Sequence, residues 1–106
     1  MKSDPNTYHI LIVEDNAGDI VLIREYLEEA FPKALITETN TYRGAVELRT
    51  SIDREIDVIL LDLTLPDNNG ENVIRDVIGL YKDIPVIVLT GFVDLDFGVR
   101  SLSLGI

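Results

Sequence analysis

Four short apolar runs, His9 to Val13, Ala34 to Thr37, Val58 to Leu61 and Val86 to Leu89, recur at near-regular intervals along the chain. Each is too short for a helix and rich in β-branched residues, so each predicts a strand. In three of them the apolar residues fall on successive rather than alternate positions, as in a strand covered on both faces of a parallel sheet. The stretch Leu35-Ile36-Thr37-Glu38 is more polar and suits an edge. Between the runs, Ile20, Ile23, Leu27 and Ala30, with Tyr26 beside them, line one face of a helix that starts near Ala17 and stops at Pro32. Ala45, Val46 and Leu48 predict a second, shorter helix. A third, from about Asn72, carries Val73, Ile74, Val77, Ile78 and Tyr81 and ends before Pro85. Leu95, Val99, Leu102 and Ile106 keep a helical spacing that Gly98 weakens.

Strands alternating with helices in this way imply right-handed crossovers and a doubly wound parallel α/β sheet. With 106 residues there is room for one core, which predicts a flexible N-terminus over residues 1–8 and one domain over 9–106. The chain has no cysteine, so disulfide scaffolds and cysteine zinc sites are excluded. Nineteen acidic residues against nine basic ones give a net charge of −10, a field that repels phosphate backbones and anionic lipid. Direct nucleic-acid binding is therefore not expected, and solubility alone would account for the charge unless the carboxylates converge. No run approaches the length of a membrane span and the first residues carry no apolar signal core, which predicts a cytoplasmic protein.

In a doubly wound sheet, ligands bind outside the carboxyl ends of the strands, where the strand order reverses. The first strand runs into Glu14-Asp15, the third into Asp62, and the fourth into Thr90-Gly91. Three carboxylates and a hydroxyl are thus expected at one edge. Asp15-Asn16 could instead cap the helix near Ala17. Asp62 has no such alternative, because it follows four apolar residues and no helix begins at once after it. Carboxylates that close raise one another's pKa unless a cation intervenes, and magnesium suits a few carboxylates, a carbonyl and waters. The turn formers Pro66-Asp67-Asn68-Asn69-Gly70 read as a connecting loop in which Gly70 takes a positive φ. His9, the only histidine, lies at the opposite end from this edge and is expected to be solvated or locally bonded. That excludes histidine ligand sets and histidine dyads.

Three segments in this order and spacing, Ile10-Leu11-Ile12-Val13-Glu14-Asp15-Asn16, Val58 to Asp67 with Gly70, and Ile84-Pro85-Val86-Ile87-Val88-Leu89-Thr90-Gly91, resemble the receiver domain of two-component response regulators. The resemblance spans the chain from His9 onward and implies a flavodoxin-like fold. It implies that Asp62 accepts a phosphoryl group from the phosphohistidine of a histidine kinase or histidine phosphotransfer protein. Asp15 and Asp62 would hold magnesium directly, Glu14 directly or through water, and the Thr64 backbone carbonyl would complete the protein ligands. Thr90 would be the switch hydroxyl, with Pro66 and Gly70 shaping the loop. The implied protein is a phosphoacceptor rather than an enzyme, one that promotes its own phosphorylation and dephosphorylation. Asp62-Leu63-Thr64-Leu65-Pro66-Asp67 and Asn16-Ala17-Gly18-Asp19 look most like receivers at the front of larger sensor kinases or effector proteins.

The family also carries a lysine at the end of a fifth strand, and Lys2, Lys33 and Lys82 do not occupy that position. The ending Ser101 to Ile106 resembles the segment before that strand. The chain is therefore expected to be truncated before the fifth strand and fifth helix, leaving an apolar edge that favours self-association, including a homodimer. A phosphohydrolase with an aspartyl nucleophile is the rival from another class, but Thr64 stands where its second aspartate is usual. A receiver-like docking module that works without phosphorylation is the other alternative.

Overall fold

The computed structural model describes residues 7–51 and 55–89. Four strands, β1 (His9–Val13), β2 (Leu35–Thr39), β3 (Val58–Asp62) and β4 (Val86–Leu89), alternate with helices α1 (Ala17–Ala30), α2 (Tyr42–Ser51) and α3 (Gly70–Leu80). All strand pairs are parallel, and the sheet order is β2-β1-β3-β4. The chain moves from β1 out to β2 and then back across β1 to β3, so the order reverses between the carboxyl ends of β1 and β3. That is where a doubly wound sheet opens a crevice.

The successive apolar positions of β1 and β3 face two different cores. Leu11, Val13, Ile59 and Leu61 pack with Ala45 of α2 and with Val73 and Val77 of α3. Ile10, Ile12 and Leu60 pack against Ile20, Ile23 and Leu27 of α1. Both faces are covered, so neither strand can alternate apolar with polar. β2 lies at an edge, as its polarity implies, with Leu35 still 44% exposed. Tyr26 stands beside the apolar stripe of α1 in sequence but points to solvent.

Several boundaries differ from the sequence reading. β2 begins at Leu35 and runs to Thr39, because pairing with Ile12 and Val13 draws Glu38 and Thr39 into the ladder. Ala34 is left in the turn, its N–H donating to the Phe31 carbonyl. α3 starts at Gly70, whose φ of 62° makes the turn and whose N–H donates to the Leu63 carbonyl at 2.8 Å. Tyr8, expected within the flexible N-terminus, is tied in. Its ring meets Phe31 edge-on at 5.5 Å, and its carbonyl accepts from the Leu35 N–H.

His9 needs the largest correction. It is the first residue of β1 and is buried, and its Nε2 hydrogen-bonds the Thr37 hydroxyl on the neighbouring strand at 2.7 Å. Its partner is distant in sequence, which explains why the chain order concealed it. It does lie at the amino end of the sheet, away from the crevice.

Two close contacts fix α2. Gly44 passes so near β2 that a Cβ would sit 1.8 Å from the Thr39 hydroxyl oxygen, leaving no room for a side chain. The buried Tyr81 hydroxyl donates to the Ala45 carbonyl at 2.6 Å and ties the end of α3 to α2. Among the described residues no helix is long and apolar enough to cross a membrane. The helical spacing read over residues 95–106, and the expected stop before a fifth strand, lie outside the described residues.

Candidate functional site

β1 carries its ladder one step past Val13, the Glu14 N–H donating to the Thr39 carbonyl at 3.0 Å. Glu14 is thereby held at the strand end, only 3% exposed. Its Oε2 accepts from the Asn16 N–H at 3.2 Å. Asn16 takes the capping role: its Oδ1 accepts from the Asp19 N–H at 3.0 Å. Asp15 is therefore not consumed by the helix and presents an exposed carboxylate at the crevice.

Asp62 ends β3 opposite Leu89 and is 6% exposed. Carboxylate oxygens from Glu14, Asp15 and Asp62 lie within 4.8 Å of one another. Burial pushes the Glu14 carboxyl up to about 8. The Asn16 N–H works against this, while the hydrogen bond and the negative charge of Asp62 add to it. A proton on Glu14 relieves the crowding when no cation is present. Three convergent carboxylates, two of them buried, form a hard oxygen donor set of the kind that suits magnesium rather than a soft metal.

Thr64 meets Asp62 in a way the sequence reading missed. Its hydroxyl oxygen is 3.1 Å from both Asp62 carboxylate oxygens, and its N–H lies 3.3 Å from Oδ1. The sequence signal for it is the spacing Asp62-x-Thr64, from which the resemblance implies a role for the Thr64 carbonyl alone. Asp67 was also missed. Its two oxygens accept from the Tyr42 and Arg43 N–H groups at 2.8 and 2.9 Å, capping α2 from a distant loop. Nothing local marks such a cap, since the helix it serves precedes it by a whole strand. Thr90, expected as the switch hydroxyl, lies outside the described residues.

A parallel sheet with a buried aspartate at the switch point and two further carboxylates beside it defines a doubly wound α/β domain with an acidic site able to hold a cation. A family model of the response regulator receiver domain matches residues 10–106, and the chain belongs to that family. It is 32% identical to the probable transcriptional regulatory protein SilR of Salmonella typhimurium over 91% of this chain, and spans 40% of that protein's length. Among solved structures, the phosphorylated cyanobacterial phytochrome response regulator RcpA superposes with a TM-score of 0.71 at 28% identity. That match covers 95% of this chain and 77% of RcpA. The receiver domain of the sensor histidine kinase PA1611 from Pseudomonas aeruginosa PAO1, which has magnesium coordinated in its active-site cleft, has the same fold. Its TM-score is 0.68 at 24% identity, over 94% of this chain and 80% of that one. Receiver domains of this family act in two-component phosphorelays, with histidine kinases as partners.

Proposed function

We propose that Asp62 accepts the phosphoryl group in this phosphorelay, from the phosphohistidine of a histidine kinase or histidine phosphotransfer protein. The observation that carries this is the placement of a buried carboxylate at the carboxyl end of β3, at the strand-order reversal, with Glu14 and Asp15 within reach. One Asp62 oxygen gives a lone pair to phosphorus as the phosphorus–nitrogen bond of the donor breaks. The bonding pair leaves with the imidazole, which then takes a proton. Glu14, Asp15, Asp62 and the Thr64 carbonyl would hold magnesium, which when bound neutralises charge on the phosphoryl oxygens. Burial keeps bulk water from the Asp62 oxygens, and the rigid end of β3 fixes where they stand. Thr90 is assigned the switch hydroxyl that follows the phosphoryl group, and the setting is cytoplasmic.

Acetyl phosphate with magnesium should convert the chain to an acyl phosphate, read as an added phosphoryl mass on the intact protein. Asp62→Ala should abolish it. Undiminished acyl phosphate in that variant would reject Asp62 as the acceptor.

A further inference from the structure

The loop after Asp62 carries a reactive pair that phosphoryl acceptance does not use. Asn69 is the one asparagine in the chain followed by glycine. An asparagine deamidates when the backbone nitrogen of the next residue attacks its side-chain amide carbon, so a free amide and an open nitrogen favour the reaction. Asn69 is exposed, and although it stands at the N-cap of α3 its side chain makes no capping hydrogen bond. Gly70 has no Cβ, and among the described residues one built there would meet no other segment within 4 Å, so its nitrogen is unscreened. The other asparagines lack one or both conditions. Asn16 accepts from the Asp19 N–H at 3.0 Å, and Asn68 donates to Asp76 at 2.9 Å. Asn6, Asn40 and Asn72 precede Thr7, Thr41 and Val73, whose branched side chains crowd the nitrogen.

One restraint opposes the reaction. The Gly70 N–H donates to the Leu63 carbonyl at 2.8 Å, and Asn69 bridges Thr64 in the same turn. The nitrogen cannot attack while that bond holds it, so the turn must open first, which an exposed loop does far more readily than the domain unfolds. We propose that Asn69 is a spontaneous deamidation site in the folded protein and that its isoaspartyl form accepts a phosphoryl group poorly; the second half rests on Asp62 being the acceptor. Base removes the Gly70 amide proton, the nitrogen pair forms a bond to Asn69 Cγ, and the Cγ–Nδ2 bond breaks, Nδ2 leaving as ammonia with a proton from water. The resulting succinimide takes up one water. Opening at Cγ gives aspartate, and opening at the backbone carbonyl gives isoaspartate, whose main chain runs through Cβ and Cγ. Aspartate suits the N-cap of α3. Isoaspartate inserts an extra backbone carbon beside the Thr64 bridge and the Leu63 bond, so the turn that holds Thr64 against Asp62 loses its closure.

The test ages wild type and Asn69→Gln in mildly alkaline buffer, folded and in guanidinium, and follows acid formation by peptide mass, with isoaspartate read by methyltransferase labelling. Asn69 should convert ahead of every other asparagine, about two- to tenfold more slowly in the folded than in the unfolded chain, the factor that one net hydrogen bond allows. Asn69→Gln should show no comparable conversion at that position and should melt with fresh wild type. The isoaspartyl fraction of aged wild type, separated by its added charge, should take up less than about half the phosphoryl of fresh wild type from acetyl phosphate and magnesium, since small displacements at a reacting group are costly. Aged Asn69→Gln should keep its capacity. An Asn69 still amidated in the folded protein once the unfolded chain has converted, or another asparagine converting first, overturns the site. An isoaspartyl fraction as competent as fresh wild type overturns its effect. No acyl phosphate on fresh wild type overturns the acceptor assignment and the second half of the proposal with it, while the mapping of Asn69 decides the first.

Discussion

Replacing Glu14 by Gln removes a charge that the site cannot accommodate without a cation. In the metal-free protein, burial and the neighbouring Asp62 keep Glu14 protonated up to about pH 8, against an ordinary value of 4.5. The folded chain therefore binds more protons than the unfolded chain between these limits. Stability from this group is full below about pH 4.5 and is lost as pH rises to about 8. At about 1.4 kcal/mol per pH unit, the loss is at most on the order of 5 kcal/mol. Even half of that moves the melting temperature of so small a domain by about 10 °C or more. Thermal melts in chelator from pH 5 to 8.5 should show wild type falling along this range. The net charge of −10 adds a general decline, so the decisive quantity is the difference from Glu14→Gln. That variant should be the more stable of the two at pH 8, because a neutral amide can still accept from the Asn16 N–H and donate to Asp62. Magnesium should narrow the gap, since it favours the ionised carboxylates. Parallel curves for wild type and Glu14→Gln in chelator would refute the crowding of charge at this edge.

Two further outcomes follow from the same geometry. Asp15→Asn should cut the magnesium-induced rise in melting temperature to less than half, because a cation at a hundred times its dissociation constant contributes only about 2.7 kcal/mol and one of three carboxylates is lost. An unchanged rise would remove Asp15 from the metal site. Asp67→Ala should lower stability by about 1 kcal/mol in urea unfolding, the usual cost of an N-terminal cap. Slight burial opposes ionisation of Asp67, but the N–H groups of Arg43, Tyr42 and its own backbone hold its carboxyl below the usual range. Its contribution is therefore present above its unfolded-state pKa and fades as pH falls. A midpoint that does not move at neutral pH would show the cap to be idle.

Hydrophobic patterning alone was enough to place β1 and β4 to the residue and to put β2 at an edge, because burial on both faces leaves no polar position in an inner strand. It also placed Glu14, Asp15 and Asp62 at strand ends, since a strand's last residue is set by where its apolar run stops. The positive φ of Gly70 was legible for the same local reason, a glycine among turn formers. What lay beyond reach were pairings between segments distant in the chain. The His9 ring finds Thr37 only because β1 and β2 are neighbours in a particular register, and Asp67 caps α2 only because two loops meet. Asp15-Asn16 could have served only to cap α1, and the fold gives the cap to the Asn16 side chain, which leaves the Asp15 carboxylate for the crevice. Residue order determines which groups reach the crevice. Which of them touch, and so how a buried Glu14 comes to hold its proton and the Thr64 hydroxyl comes to meet the Asp62 carboxylate, was decided by the tertiary fold, because burial and hydrogen-bond geometry exist only once the segments have packed.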